Sequence, residues 1–272
     1  MSITSPENPL IRQVRKLLAS AKARRRLRQA VLDGWHLLEA CLDAAVPVER
    51  VLLAARMRNS APARRLLAQV EARRVVIVAD ALFDALAPVE EATGVLTVIG
   101  IPHPKAAGQD CVLLLERIQD PGNLGSILRS AAAAGADAVY LSKGCADVWS
   151  ARALRGGMGA QFHLALHEQV DLVAVAQSFP GVVIATSLNA TDSLYDLDLR
   201  KRVALLFGNE GAGLSPTLLA AARHRVRIPM LGRVESLNAA AAVAVCLFER
   251  VRQLQAGGQA LAMQDRGGDF LD

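Results

Sequence analysis

Residues 111–134 read CVLLLERIQDPGNLGSILRSAAAA. The five residues from Cys111 to Leu115 are apolar without interruption, which is the pattern of a parallel strand covered on both faces. Asp120-Pro121-Gly122 then breaks the run, since proline cannot continue a ladder and glycine frees the backbone to turn. Beyond Asn123 the residues suit a helix over 124–134. The same alternation continues, with strands expected at 138–141, 162–166, 182–187, 203–207 and 225–228. Helices are expected near 148–155, 170–177, 215–222 and 237–254. An α/β domain built on a mainly parallel sheet follows.

Upstream, residues 31–101 alternate in a smaller α/β unit. Helices are expected at 34–45 and 61–72, with strands at 48–53, 75–79 and 94–99. Asp80 is expected to cap a short helix over 80–86. Residues 101–110 hold Pro102, Pro104 and Gly108 and read as a linker, so the domains are expected at 1–105 and 106–272. The Gly-, Gln- and Asp-rich segment 255–272 is expected to fray as a flexible tail.

The chain has 272 residues, enough for a substantial core, and 52% of them are hydrophobic, which excludes a disordered chain. The longest apolar run is 239–248, short of the roughly 20 residues that span a bilayer, so no membrane segment is expected. No secretory signal is read at the start, and a cytoplasmic protein is expected. Cys41, Cys111, Cys145 and Cys246 are scattered through apolar stretches without ligand spacing. They read as small buried hydrophobes, and no metal site is expected.

Lys and Arg exceed Asp and Glu by 31 − 26 = 5, and the excess is local. Between residues 10 and 30 stand Arg12, Arg15, Lys16, Lys22, Arg24, Arg25, Arg26 and Arg28 with no acid among them. Ile11, Val14, Leu17 and Leu18 recur at helical intervals through the same segment. A solvated helix face is one reading. Unpaired charge of one sign also suits a phosphate backbone, which makes Arg24, Arg25, Arg26 and Arg28 candidate nucleic-acid contacts.

Three segments end expected strands with polar residues and glycine, where ligands of doubly wound sheets sit. They are 116–129, 206–215 and 228–239. Taken singly, Asn123 reads as a cap or turn residue, Arg129 as a helix's wet face, and Glu210 as a loop carboxylate. Ser236 reads equally well as the cap of the last helix. No GxGxxG spacing supports a Rossmann nucleotide site.

Taken together and in order, Asp-Pro-Gly-Asn-Leu-Gly-Ser-Ile-Leu-Arg (120–129), Phe-Gly-Asn-Glu-Gly-Ala-Gly-Leu-Ser (207–215) and Ile-Pro-Met…Glu-Ser-Leu-Asn-Ala-Ala (228–240) resemble the three motifs of the SpoU (TrmH-like) RNA 2′-O-ribose methyltransferases. The resemblance covers about 111–254. Residues 5–11 and 32–38 look like the start of that family's L30e-like substrate-binding domain, with departures at Asp33 and at Ala92-Thr93-Gly94. The resemblance implies a SPOUT-type α/β domain with a deep trefoil knot, S-adenosylmethionine as cofactor, and a homodimer formed through the knot. It implies Arg129 as catalytic arginine held by Asn123, with Glu210, Ser236 and Asn238 orienting the reacting groups. Thr186, Leu188, Gly208, Asn209, Ile228, Met230 and Leu237 are implied at the cofactor.

The expected chemistry is attack of a ribose 2′-oxygen on the cofactor's methyl carbon. An isolated guanidinium is a poor base, so Arg129 is expected to clamp a phosphate and stabilise the developing alkoxide. Structured RNA is the expected partner, large-subunit (23S) ribosomal RNA ahead of transfer RNA. The rival readings are a tRNA 2′-O-methyltransferase, a non-catalytic RNA-binding protein on the same scaffold, and a dehydrogenase with an atypical glycine loop.

Overall fold

The computed structural model describes residues 2–87, 92–104, 108–256 and 258. The expected tail beyond 258 and part of the expected linker lie outside them. Two compact units account for the chain: Met1–Pro104 with Asp120–Arg129 and Asp147–His163, and Lys105–Gln119 with Ser130–Ala146 and Leu164–Asp272.

The first unit opens with α1 (Pro9–Ala19), where the Asn8 side chain accepts from Leu10 N at 2.9 Å and Pro9 supplies a pre-set first turn. Ile11, Val14 and Leu17 point inward with no exposed surface, as their spacing requires. Ser20 ends α1 in extended geometry and caps α2 (Ala21–Leu27), its Oγ accepting from Ala23 N at 3.2 Å. The basic segment is therefore two helices. Arg28, at φ +53°, ends the second.

A four-stranded sheet follows, built from β1 (Gln29–Asp33), β2 (Val48–Ala54), β3 (Val75–Val78) and β4 (Val95–Gly100) in the order β1-β4-β2-β3. The β2/β3 pair is parallel and the other two pairs are antiparallel. Sequence reading does not anticipate β1. Three helices complete this part: α3 (Trp35–Asp43), α4 (Ala61–Leu67) and α5 (Asp80–Asp84). The cap of α5 is Ala79 rather than Asp80, whose carboxylate accepts from Arg56 N at 3.0 Å instead.

Also in this unit are residues 120–129 of α6 (Pro121–Ala133) and all of α7 (Ala151–Gly157). The two helices cross at glycines: a Cβ on Gly125 would lie 2.5 Å from Ala153 O. Gly159, at φ +91°, would likewise meet the Ala40 methyl at 2.6 Å. Arg24 Nε donates to Asp147 Oδ2 at 2.7 Å, and these side chains are only 6% and 8% exposed.

The second unit is a seven-stranded, wholly parallel sheet in the order β7-β6-β5-β10-β8-β11-β9. Its strands are β5 (Cys111–Leu115), β6 (Ala138–Ser142), β7 (Ala165–Val170), β8 (Val182–Thr186), β9 (Asp192–Ser193), β10 (Val203–Phe207) and β11 (His224–Arg227). The runs expected at 111–115 and 203–207 are recovered to the residue. The strand expected at 162–166 starts later, because Ala160–Phe162 form a 3-10 turn that buries Phe162 beside Trp149, ring centroids 6.4 Å apart.

Helices α8 (Leu172–Ser178) and α9 (Pro216–Ala221) contribute Leu172, Ala176 and Leu218 to a core with Val112, Leu114, Ala204 and Leu206. The last helix, α10 (Ala239–Ala256), starts two residues later than expected. Asn238 caps it, Oδ1 accepting from Ala240 N at 2.9 Å, so the Ser236 cap reading is not realised. Gln253 of α10 holds the loop after β9 through Leu199 N at 2.8 Å and Leu197 O at 3.0 Å.

Candidate active site

Parallel strands bring their carboxyl ends to one edge of the sheet, and two neighbours, β5 and β10, end in register at Leu115 and Phe207. One further ladder bond, Glu116 N to Phe207 O at 2.9 Å, precedes their divergence. After it, Arg117 turns at φ +53° and the other chain segment enters Gly208. Glycine is required at 208, because a Cβ there would stand 2.1 Å from the Gly213 carbonyl carbon and 2.3 Å from Leu214 N.

The two loops are tied together within this unit. Asn209 Nδ2 donates to Arg117 O at 2.9 Å, while its Oδ1 accepts from Gly211 N and Ala212 N at 3.0 and 2.9 Å. Glu210 Oε2 accepts from Gln119 N at 3.3 Å. Glu116 Oε2 accepts from Ser215 N at 2.7 Å. Asn209 therefore shapes the loop with its whole amide, and its backbone N–H and C=O pair with Gly213 at 3.1 and 2.9 Å.

The other expected cofactor residues lie beyond β8, β10 and β11. Thr186 ends β8 and donates Oγ1 to Leu206 O at 3.0 Å, which binds its hydroxyl across the sheet. Ile228 and Met230 are half-buried just past β11, whereas Leu188 is 62% exposed and Leu237 lies exposed before α10. Apolar side chains, backbone polar groups and a side-chain-free Gly208 suit a neutral adenine and ribose. The glycines of 208–213 lack the GxGxxG spacing of a pyrophosphate-binding turn. The donor set thus fits S-adenosylmethionine.

Asn123 and Arg129 belong to the first unit, on α6. Asp120 starts the helix, its Oδ1 accepting from Asn123 N at 2.8 Å and its carbonyl from Leu124 N at 3.0 Å. Asp120 also pairs with Arg152 of α7 at 3.0 Å. Asn123 is half-buried and Arg129 exposed. Glu210, Ser236 and Asn238 belong to the second unit, all exposed.

Of the four candidate RNA contacts, Arg25, Arg26 and Arg28 are exposed. Arg24 is a correction. Its guanidinium is buried on Asp147 and also donates to Leu17 O and Leu18 O, so it closes the end of α1 rather than facing a ligand. Arg28 reaches Ile101 O at 3.0 Å and Pro102 O at 3.3 Å.

Burial raises every cysteine thiol: Cys41 and Cys246 to about 12, Cys111 to about 11, and Cys145 upward as well. Asp33, its carboxyl desolvated, is raised despite a 2.9 Å hydrogen bond from Thr93 Oγ1 and the Arg155 guanidinium at 3.6 Å. Among the described residues, no group of three His, Cys, Asp or Glu is placed to hold a metal ion. No helix among them is long and apolar enough to cross a membrane.

Residues 110–248 match the SpoU rRNA Methylase family, and residues 8–97 match the MRM3-like substrate binding domain. The chain belongs to the SpoU rRNA methylase family. It is 36% identical to an uncharacterized tRNA/rRNA methyltransferase of Synechocystis sp., covering 93% of this chain and 94% of the relative. It is 31% identical to the 23S rRNA (uridine(2479)-2′-O)-methyltransferase of Streptomyces viridochromogenes, covering 94% and 93%. The Bacillus subtilis 23S rRNA (guanosine(2553)-2′-O)-methyltransferase RlmP is 29% identical, with 90% and 97% covered. The structure of the SpoU methyltransferase AviRb from S. viridochromogenes in complex with AdoMet aligns over 92% of this chain and 99% of that one, at TM-score 0.82 and 28% identity.

Within this SpoU member the residue that sequence reading passed over is Glu116. Its signal was a carboxylate placed directly after a wholly apolar strand.

Proposed function

We propose that this SpoU-family enzyme methylates a ribose 2′-hydroxyl of large-subunit ribosomal RNA, with S-adenosylmethionine as methyl donor. The observation that carries the proposal is the β5/β10 loop pair, where the motif residues Asn209 and Glu210 bind the neighbouring loop and Gly208 admits no side chain. Relatives matched over nine-tenths of the chain and named for 23S rRNA support the ribosomal substrate. A structure described for tRNA methylation covers 55% of this chain.

Bound S-adenosylmethionine supplies a methyl carbon on a sulfonium sulfur, and that carbon–sulfur bond breaks as the ribose oxygen attacks, leaving a thioether. Arg129 holds the adjoining phosphate and stabilises the developing alkoxide, while the hydroxyl proton passes to a phosphate oxygen or water. Asn123 steadies Arg129. Glu210, Ser236 and Asn238 orient the reacting groups. Thr186, Leu188, Gly208, Asn209, Ile228, Met230 and Leu237 receive the cofactor. Residues 1–105 select the RNA, with Arg25, Arg26 and Arg28 on its phosphates.

Mapping ribose methylation across total RNA tests this reading. One 23S position should lose its 2′-O-methyl group when the protein is deleted, regain it with wild type, and stay bare with Arg129→Ala. Restoration by Arg129→Ala, or a lost position in transfer RNA, contradicts it.

A homodimer through the knot region belongs to the same proposal. It is supported by apolar side chains left exposed there, Leu231 at 99% and Val234, Leu237 and Phe248 alongside. Sedimentation at micromolar concentration should give two chains; a single chain contradicts the dimer.

A further inference from the structure

We infer that Glu116 is a positioning residue for the cofactor-side loop, acting through the Ser215 amide. The inference rests on the methyltransferase reading and adds a residue to it. The loop 208–215 leaves β10, turns back on itself through paired bonds between Asn209 and Gly213 (3.1 and 2.9 Å), and must end where α9 begins. Its first half is held by Asn209 on Arg117 O and by Glu210 on Gln119 N. Its far end is held by the Glu116 carboxylate, which accepts from Ser215 N at 2.7 Å. A carboxylate acceptor at this distance makes a strong, charge-assisted bond.

Glu116 is itself immobile at its backbone, because its N–H closes the last rung between β5 and β10. Its side chain is half-buried, so water replaces it poorly as acceptor. Ser215 also carries a structural duty, its Oγ capping α9 through Leu218 N at 3.4 Å. Glu116 thus joins the sheet edge to the point where the loop becomes helix. Without it the loop keeps one anchored end, and the backbone groups of Gly208 and Asn209 lose their fixed bearing.

The test compares Glu116→Met with Glu116→Gln in the full chain. The two side chains are similar in volume, and only glutamine keeps an acceptor oxygen. Three readouts are taken: calorimetric affinity for S-adenosylhomocysteine, KM for S-adenosylmethionine against kcat on RNA, and amide exchange at Ser215. Loss of one charge-assisted bond should weaken affinity and raise KM by about tenfold in Glu116→Met. Its kcat at saturating cofactor should stay within about twofold, and Ser215 exchange should accelerate. Glu116→Gln should restore affinity to within about twofold of wild type. Wild-type affinity in Glu116→Met, or equal weakening in Glu116→Gln, overturns the inference. So does a Ser215 amide that exchanges in the wild type as fast as an exposed one, whether or not the variants fold. A wild type that binds no S-adenosylhomocysteine refutes the methyltransferase reading, while Ser215 exchange still judges the strut.

Discussion

Arg24 and Arg25 are adjacent in the chain and have opposite environments. Both look alike in a run of cations without acids, and composition cannot separate them. Folding does so because α2 turns Arg24 inward onto Asp147, 123 residues further along. A buried charge that loses its partner is costly, so Arg24→Met should lower unfolding stability by about 3–5 kcal/mol in a denaturant titration. Arg25→Gln with Arg26→Gln should leave that titration unchanged. The pair should instead make RNA binding less salt-dependent, by about 0.7–0.9 in log–log slope for each phosphate no longer neutralised. An unchanged slope removes Arg25 and Arg26 from the RNA face, and an unchanged stability in Arg24→Met denies the buried pair its role. Asn209 follows the same logic. Its place in a motif is legible in the sequence, and its bonds to Gly211 and Ala212 are local, yet its bond to Arg117 depends on a neighbouring loop that only the folded sheet provides.

Elements were legible where burial on both faces leaves a continuous apolar run, as in β5 and β10. They were less so where the pattern is mixed. β1 carries Gln29 and Asp33 at its ends and became a strand through antiparallel pairing with β4. β7 was displaced because the buried Phe162 belongs to a turn. Strand order is a further level that periodicity does not reach. β11 lies between β8 and β9, although residues 187–191 join those two directly and β11 comes later in the chain. This insertion supports the trefoil knot that we propose for the second unit, a rare departure from the usual connection rules. Pulling the chain by its termini should give a final length short of full extension, about 3.3–3.6 Å per residue, because a tightened knot shortens the contour. Extension to the full contour contradicts the knot.

Across the molecule, a Pro- and Gly-rich segment marks where a boundary is expected along the chain. It does not show which distant segments pack together. Residues 120–129 and 147–163 join the first unit through pairings such as Arg24 with Asp147 and Gly159 with Ala40. The chemistry was legible because three short motifs stand in order, each expected to follow a strand. The struts behind them were not, since Glu116 and Ser215 are 99 residues apart. Methyl transfer to a sugar oxygen is the reaction on which the proposed roles of these residues depend. The sharpest check incubates the purified full chain with methyl-labelled S-adenosylmethionine and unmodified 23S RNA, digests the RNA to nucleosides and locates the label. Label is expected in one 2′-O-methylnucleoside and absent with Arg129→Ala. Label on a base, or none in any RNA offered, would contradict methyl transfer to ribose.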